Sequence, residues 1–154
     1  MRRTIKPVYP VKGLILAAMI ILAQMAIADS TTMSDDGPAH KLVIQVSSAD
    51  PVTHKIALNN AVNMQKAYGM DNIAIEIVAY GPGLTLMTDK SKESERVASL
   101  AIQEITFSAC GNTMQKVAAK SGSMPVLIDG VKVVPAGVQR IMELQEQGYA
   151  YIRP

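Results

Sequence analysis

Short runs of continuous apolar residues alternate along the chain with longer segments in which apolar residues recur every three or four positions. Continuous runs are typical of strands covered on both faces, and the second pattern is typical of amphipathic helices. Strands are predicted at residues 42–46, 73–79, 105–109, 131–134 and 149–152. Helices are predicted at residues 51–68, in a segment whose first turns are the charged run 89–96, at 113–120 and at 135–147. Five strands alternating with four helices predict an α/β fold, a three-layer α/β/α sandwich around a mainly parallel five-stranded sheet.

The first 28 residues follow a different pattern. Four basic residues precede an apolar run at 13–27, and residues 26–28 form a small-x-small cleavage sequence. This order predicts an export signal peptide at residues 1–28 and a mature protein that is periplasmic or secreted. The apolar run is shorter than the roughly 20 residues of a bilayer span, and an uncleaved membrane anchor is the alternative.

Removing the predicted signal changes the charge of the chain. Four of the 15 basic residues and none of the 13 acidic residues precede Asp29, so eleven basic residues face thirteen acidic ones, a net charge of −2. With no basic run and few aromatic residues, the mature chain lacks the features of a nucleic-acid-binding protein. Residues 29–40 are polar and predict a flexible arm before a single domain at 41–154.

The single cysteine of the chain, Cys110, follows the strand predicted at 105–109 and precedes a helix. Residues Gly111, Asn112 and Thr113 form the turn into that helix. Ligands of parallel α/β sheets bind at the carboxyl ends of the strands, and the free amides of a helix start favour an anion. The position therefore predicts a reactive thiolate, with Gly111, Asn112 and Thr113 stabilising its charge. The alternative is a buried structural cysteine.

A second unusual turn follows the strand predicted at 73–79. It consists of Tyr80, Gly81, Pro82 and Gly83, in which two glycines flank a proline and permit close approach of backbone or ligand. These four residues are predicted to line a pocket at the same edge of the sheet, although an ordinary connection is equally compatible with the sequence. The apolar residues at 84–87 are predicted to lie in a loop that lines the pocket or contacts a partner chain.

Other candidate groups at this edge are few. Asp50 precedes Pro51 and is better explained as a helix cap than as a catalytic group, whereas His54 follows in the first helical turn. Both are possible assisting residues, although the pattern favours a solvated surface position for His54. One cysteine and two scattered histidines do not have the spacing of a metal site, and no glycine-rich phosphate loop is present. We therefore predict no metal and no cofactor.

Four segments in order resemble the DsrE/DsrF-like proteins. They are residues 109–113, 80–83, 133–138 and 144–154, and the similarity runs from about residue 41 to the end. The resemblance implies a flavodoxin-like subunit that forms small homo- or hetero-oligomers and a cysteine, Cys110, that carries sulfur as a persulfide. It also adds Pro135 and Ala136 to the predicted pocket. The export signal departs from the mostly cytoplasmic sulfur-relay members, and Gln103-Glu104 stands where related chains often have a glycine turn.

Three functions are compatible with these features. The first is an exported sulfur-relay protein that binds or transfers sulfane sulfur on Cys110, working with a sulfur donor or acceptor protein. The second is a non-catalytic oligomeric binding or scaffold module with a structural cysteine. The third, a thiol oxidoreductase, is disfavoured because the chain has no second cysteine to resolve a disulfide.

Overall fold

The computed structural model describes residues 37–154 of the chain. The predicted export signal and residues 29–36 of the predicted arm lie outside the described residues. None of the helices within residues 37–154 combines the length and the apolar character that a membrane crossing requires.

Strands and helices alternate through the described residues, which form five strands and four α-helices. Their bounds are β1 His40–Val46, α1 Pro51–Tyr68, β2 Ile73–Ala79, α2 Ser94–Ile102, β3 Ile105–Cys110, α3 Gly111–Ser121, β4 Val131–Val134, α4 Gly137–Glu146 and β5 Ala150–Ile152. All neighbouring strands are parallel, and the sheet order is β4-β3-β2-β1-β5. The predicted α/β sandwich with helices on both faces of the sheet is confirmed.

The first strand begins earlier than predicted. His40, assigned above to the flexible arm, is the first residue of β1 and pairs with Ile73 of β2. Its ring also lies against Tyr68 at the end of α1, with 3.8 Å between the ring centroids. The polar composition before residue 41 concealed this extension, because the first residue of β1 is exposed and carries no apolar side chain.

The two faces of the sheet carry unequal cores. One face supports 20 buried apolar residues of the described chain, among them side chains from α1, α2 and α3. On the other face, which we call the α4 face, only four buried apolar residues form a cluster: Val43, Val78, Ile141 and Leu144. The α4 face is therefore held by a much smaller apolar contact than the opposite face.

Two apolar segments pack differently from the pattern in the sequence. Residues 84–87 belong to a 3-10 helix at Gly81–Met87, and Leu84, Leu86 and Met87 are buried in the chain's own core. Leu84 lines a groove, which is one of the two roles predicted for this segment, and the burial of these residues leaves little surface for the other role, contact with a partner chain. Met142 follows the buried Ile141 in α4 but is 58% exposed. Helical spacing predicts which residues share a face, but not how far the sheet extends beneath that face.

Candidate functional site

Cys110 is at once the last residue of β3 and the N-cap of α3. It pairs with Val134 of β4, and alternation along β3 places its side chain on the α4 face together with that of Ser108. The carboxyl ends of the three central strands are aligned, because Ala109 pairs with Ala79 and Ala79 pairs with Val46. The predicted placement of the cysteine at this edge of the sheet is thus observed, with the residue 5% exposed.

Four hydrogen-bond donors surround the sulfur of Cys110. They are the Thr113 hydroxyl and the backbone N–H groups of Gly137, Thr113 and Asn112, which lower the pKa of the thiol by their proximity, although the two α3 amides form no cap bond with the side chain. Burial raises the pKa of the Cys110 thiol and is the largest single influence, but these donors together outweigh it and leave the pKa below its ordinary value. The structure therefore favours a thiolate at this position more than a free cysteine would.

The turn after β2 orients the hydroxyl of Thr113. The N–H of Gly81 donates to Thr113 Oγ1 over 3.0 Å. Because the oxygen accepts this bond, its own proton is free to be directed at the sulfur. The Tyr80–Gly83 turn thus supports the cysteine indirectly, through the threonine of α3.

The start of α4 supplies a donor that the sequence pattern does not indicate. Gly137 is the first residue of α4, and Pro135 and Ala136 precede the helix that was predicted to begin at Pro135. A Cβ at position 137 would lie 3.1 Å from Tyr80 and 3.4 Å from the Cβ of Cys110. Glycine at this position therefore lets the first turn of α4 approach the cysteine closely.

The loop before α4 is also tied to the start of α3. The N–H of Asn112 donates to the Pro135 carbonyl over 3.2 Å. At position 111, a Cβ would lie 3.2 Å from the carbonyl oxygen of Val134. Gly111 therefore permits the close approach of the two loops, and the Asn112 N–H is bonded to the Pro135 carbonyl at this point of contact.

The residues predicted to form one pocket are divided between two grooves. Tyr80, Gly81 and Pro82 line an apolar groove of 520 Å³, which also includes Leu84 and Thr113. A second groove, of 470 Å³, lies on the α4 face and is polar. Pro135 and Ala136 line it, next to residues of β2, β3 and α4.

Gly83 lines neither groove. A Cβ at this position would lie 2.2 Å from the backbone carbonyl oxygen of Val46 at the end of β1. The glycine is needed because the 3-10 helix packs directly on the strand backbone, and the predicted close approach is to backbone rather than to a ligand.

Asp50 is the N-cap of α1, as predicted. Its carboxylate accepts hydrogen bonds from the N–H groups of Val52 and Thr53, at 3.3 and 3.0 Å. The bond from the Thr53 amide is the largest cause that lowers the pKa of Asp50, followed by that from Val52. These bonds give the carboxylate a structural role at the start of the helix.

His54 is buried rather than solvated, contrary to the surface position that the sequence favoured. It is 6% exposed, and its Nε2 lies 2.8 Å from the carbonyl oxygen of Ser48. A carbonyl only accepts, so Nε2 carries the proton of this bond. His54 lies in α1, which follows β1. In the sheet, β2 lies between β1 and β3, the strand that ends at Cys110, so β1 and β3 are about 10 Å apart. The structure does not bring His54 into the shell of donors around the sulfur.

A match to the model of the DsrE/DsrF-like family covers residues 40–154, which is nearly all of the described chain. The chain belongs to the DsrE/DsrF-like family. Among solved structures, a protein of unknown function from Methanobacterium thermoautotrophicum, MTH1491, is 32% identical. That similarity covers 75% of this chain and 99% of the other, with a TM-score of 0.67. No curated protein matches the chain significantly.

This DsrE/DsrF-like chain also has an ion pair on its α4 face that was not predicted, in which the carboxylate is buried and the guanidinium is partly exposed. Glu76, in the middle of β2, is 4% exposed and accepts bonds from Arg140 Nε at 2.9 Å and from Arg140 Nη2 at 2.7 Å. Ser108 of β3 donates its hydroxyl proton to the same carboxylate over 2.6 Å. A lone acidic residue in the apolar run 73–79 is the sequence signal that could have indicated this pair, because an unpaired buried charge is very costly.

Within residues 37–154, no three His, Cys, Asp or Glu residues come together as possible ligands of one ion. The groups that surround Cys110 are hydrogen-bond donors, and these suit an anion bound to or formed at the sulfur.

Proposed function

We propose that this protein is a sulfur-relay protein that carries sulfane sulfur as a persulfide on Cys110. Membership of the DsrE/DsrF-like family supports a role of the sulfur-relay type. The observation that carries the assignment to Cys110 is its position at the end of β3 and the start of α3, with Gly137 of α4 and the Thr113 hydroxyl beside it. An anion is the species that such donors stabilise.

The proposed chemistry consists of two exchanges that need no external oxidant. The Cys110 thiolate attacks the sulfane sulfur of a donor persulfide or polysulfide, an S–S bond forms, and the remainder of the donor leaves as a thiolate. A thiolate of the acceptor then attacks the outer sulfur of the Cys110 persulfide. The Cys110 thiolate is the leaving group of this second step, so the lowered pKa of Cys110 assists it. The same lowered pKa increases the fraction of thiolate that is available for the first step.

Intact mass spectrometry after exposure to inorganic polysulfide tests the proposal. A small donor is appropriate because Cys110 is only 5% exposed. The folded protein should gain one sulfur atom that a reductant removes, and Cys110→Ser should gain none. A folded protein that takes up no sulfur, while the unfolded chain does, would contradict the proposal.

The burial of the cysteine favours a second candidate function, that of an oligomeric scaffold in which Cys110 is structural. Alkylation separates the two functions. A relay cysteine reacts in the folded protein with a rate that rises with pH through a low midpoint, whereas a structural cysteine reacts only as the chain unfolds.

We propose that the protein forms a homo-oligomer through apolar side chains near the site. Val133, Val138 and Met142, of β4 and α4, are 57%, 56% and 58% exposed. Light scattering of Val138→Glu should show a smaller particle than that of the unchanged protein. Val52→Glu is the matched control, because Val52 is 61% exposed on α1. An unchanged particle size in Val138→Glu would reject this surface.

We further propose export by residues 1–28 and sulfur exchange with a donor or acceptor protein outside the cytoplasm. The mature chain should then begin at Asp29, which N-terminal sequencing of the protein recovered from the periplasm determines. Recovery in the membrane fraction with Met1 or the apolar run still attached would support the anchored alternative.

A further inference from the structure

The polar groove on the α4 face is centred on the pair formed by Glu76 and Arg140. We infer that Glu76 and Arg140 are positioning residues for Cys110: their ion pair holds the first turn of α4 so that the Gly137 N–H meets the sulfur. The inference deepens the proposed function and rests on it for its importance. Its test is a property of the thiol alone, which can be measured without any sulfur transfer.

Arg140 lies one turn after Gly137, on the same first stretch of α4. The N–H of Arg140 donates to the Ala136 carbonyl over 3.0 Å, so Arg140 is bonded directly to the residue that precedes Gly137. The guanidinium in turn forms a bidentate pair with Glu76 on β2, the central strand of the sheet. Bidentate pairs fix orientation as well as distance, so the start of the helix is held in direction relative to the sheet.

Apolar packing alone gives α4 little constraint. Of the α4 side chains, Ile141 and Leu144 join the apolar cluster on this face, and both lie C-terminal to Arg140. The turn that carries Gly137 is therefore anchored by the ion pair on one side and by its contact with Cys110 and Tyr80 on the other. Weakening the pair should let this end of α4 move away while its other end stays packed.

Charge and position predict opposite effects on the thiol, which makes the inference testable. Glu76 pairs with Thr106, four residues before Cys110 on β3, so it is about 13 Å from the cysteine. If the carboxylate acted on the thiol through its charge, Glu76→Gln would remove a negative charge and lower the pKa of Cys110. If it acts by holding Gly137 in place, the same substitution loses a donor to the thiolate and raises that pKa.

Two substitutions and one control isolate the effect of position. Glu76→Gln removes the charge of the pair, whereas Arg140→Lys keeps the net charge and loses the bidentate geometry. Glu143→Gln is the matched control: Glu143 also lies on α4, 3.6 Å from Arg140 Nη1, but its side chain is 41% exposed. The remaining charged or titratable neighbours of the pair are Lys132 and Tyr149, which line the same groove.

The measurement is the pH midpoint of the thiolate's ultraviolet absorbance, with the spectrum of the matching Cys110→Ser protein subtracted. At a pH below the midpoint, the thiolate fraction should be at least about threefold lower in Glu76→Gln and in Arg140→Lys than in the unchanged protein. A shift of one full pKa unit would lower it about tenfold. Glu143→Gln should leave the midpoint unchanged or move it slightly downward. The melting temperature of each variant shows that the measurement is made on folded protein.

A midpoint that is unchanged or lower in both pair variants would overturn the inference and leave the pair a purely structural role. If Glu76→Gln does not fold, Arg140→Lys decides the question by the same criterion. A protein that takes up no sulfur but shows the upward shift would refute the proposed relay and keep the positioning role. Sulfur uptake without the upward shift would support the proposed relay and refute the positioning role.

Discussion

The hydroxyl of Thr113 offers the most direct test of how the site ionises its cysteine. Thr113→Val replaces the hydroxyl with a methyl group of similar size, so the bond to the sulfur is lost while the packing volume is kept. Thr113→Ser is the matched control because it retains the hydroxyl that accepts from Gly81.

The magnitude follows from the strength of the bond that is removed. Hydrogen bonds to charged groups are worth about 1.5–3 kcal/mol, and sulfur is a weak acceptor, so we take a loss of about 1.4 kcal/mol. That loss lowers the thiolate fraction about tenfold at a pH below the midpoint. A thiolate of higher pKa is also more nucleophilic, with a Brønsted coefficient of about 0.5, so the alkylation rate should fall only about threefold.

The assay is the alkylation rate of the folded protein at a series of pH values, under pseudo-first-order conditions. Thr113→Val should react about threefold more slowly at low pH, and its pH midpoint should lie higher. Between the two midpoints the rates should become equal, and above both midpoints the variant should react about threefold faster. Thr113→Ser should follow the unchanged protein.

An unchanged midpoint in Thr113→Val would refute the reasoning that this hydroxyl stabilises the thiolate. A parallel loss of rate at every pH, with no shift of the midpoint, would mean that the substitution changed access to the sulfur instead of its ionisation.

Three further predictions concern stability. Gly83→Ala places a methyl group 2.2 Å from the Val46 carbonyl oxygen and should cost about 3 kcal/mol in urea unfolding; Gly122→Ala, with open space around it and φ of +81°, should cost only about 1 kcal/mol. Glu104 has φ of 66°, so Glu104→Gly should stabilise the protein by about 0.5 kcal/mol. This figure is the backbone strain that glycine relieves minus the conformational entropy that it adds to the unfolded chain. A loss of stability would show that the side chain contributes contacts of its own. The pKa of Cys110 is lowered in the folded state, so ionisation of the thiol stabilises the folded protein. This stabilisation is fully present above the ordinary pKa of 9.0 and is lost as the pH falls through the folded-state pKa. The unfolding free energy of the reduced protein, measured relative to that of Cys110→Ser, should therefore rise with pH up to that value, and a flat difference would contradict the lowered pKa.

Local patterns were sufficient for the order of strands and helices and for the placement of Cys110. The near-continuous apolar runs identified the strands because both faces of a parallel sheet are covered, and the Asp50-Pro51 pair marked the start of α1 by its capping chemistry. The left-handed turn at Glu104 also falls where the resemblance placed a glycine in related chains. In each case neighbouring residues carry the information.

The composition of the site was decided by the tertiary structure. Gly137 reaches the sulfur from α4, and the Glu76–Arg140 pair joins residues that are 64 positions apart in the sequence. His54 is buried with its ring bonded to the Ser48 carbonyl, a contact that helical periodicity does not reveal. Sequence periodicity reports which face of an element is apolar, whereas the donors around Cys110 depend on how separate elements meet at one edge of the sheet.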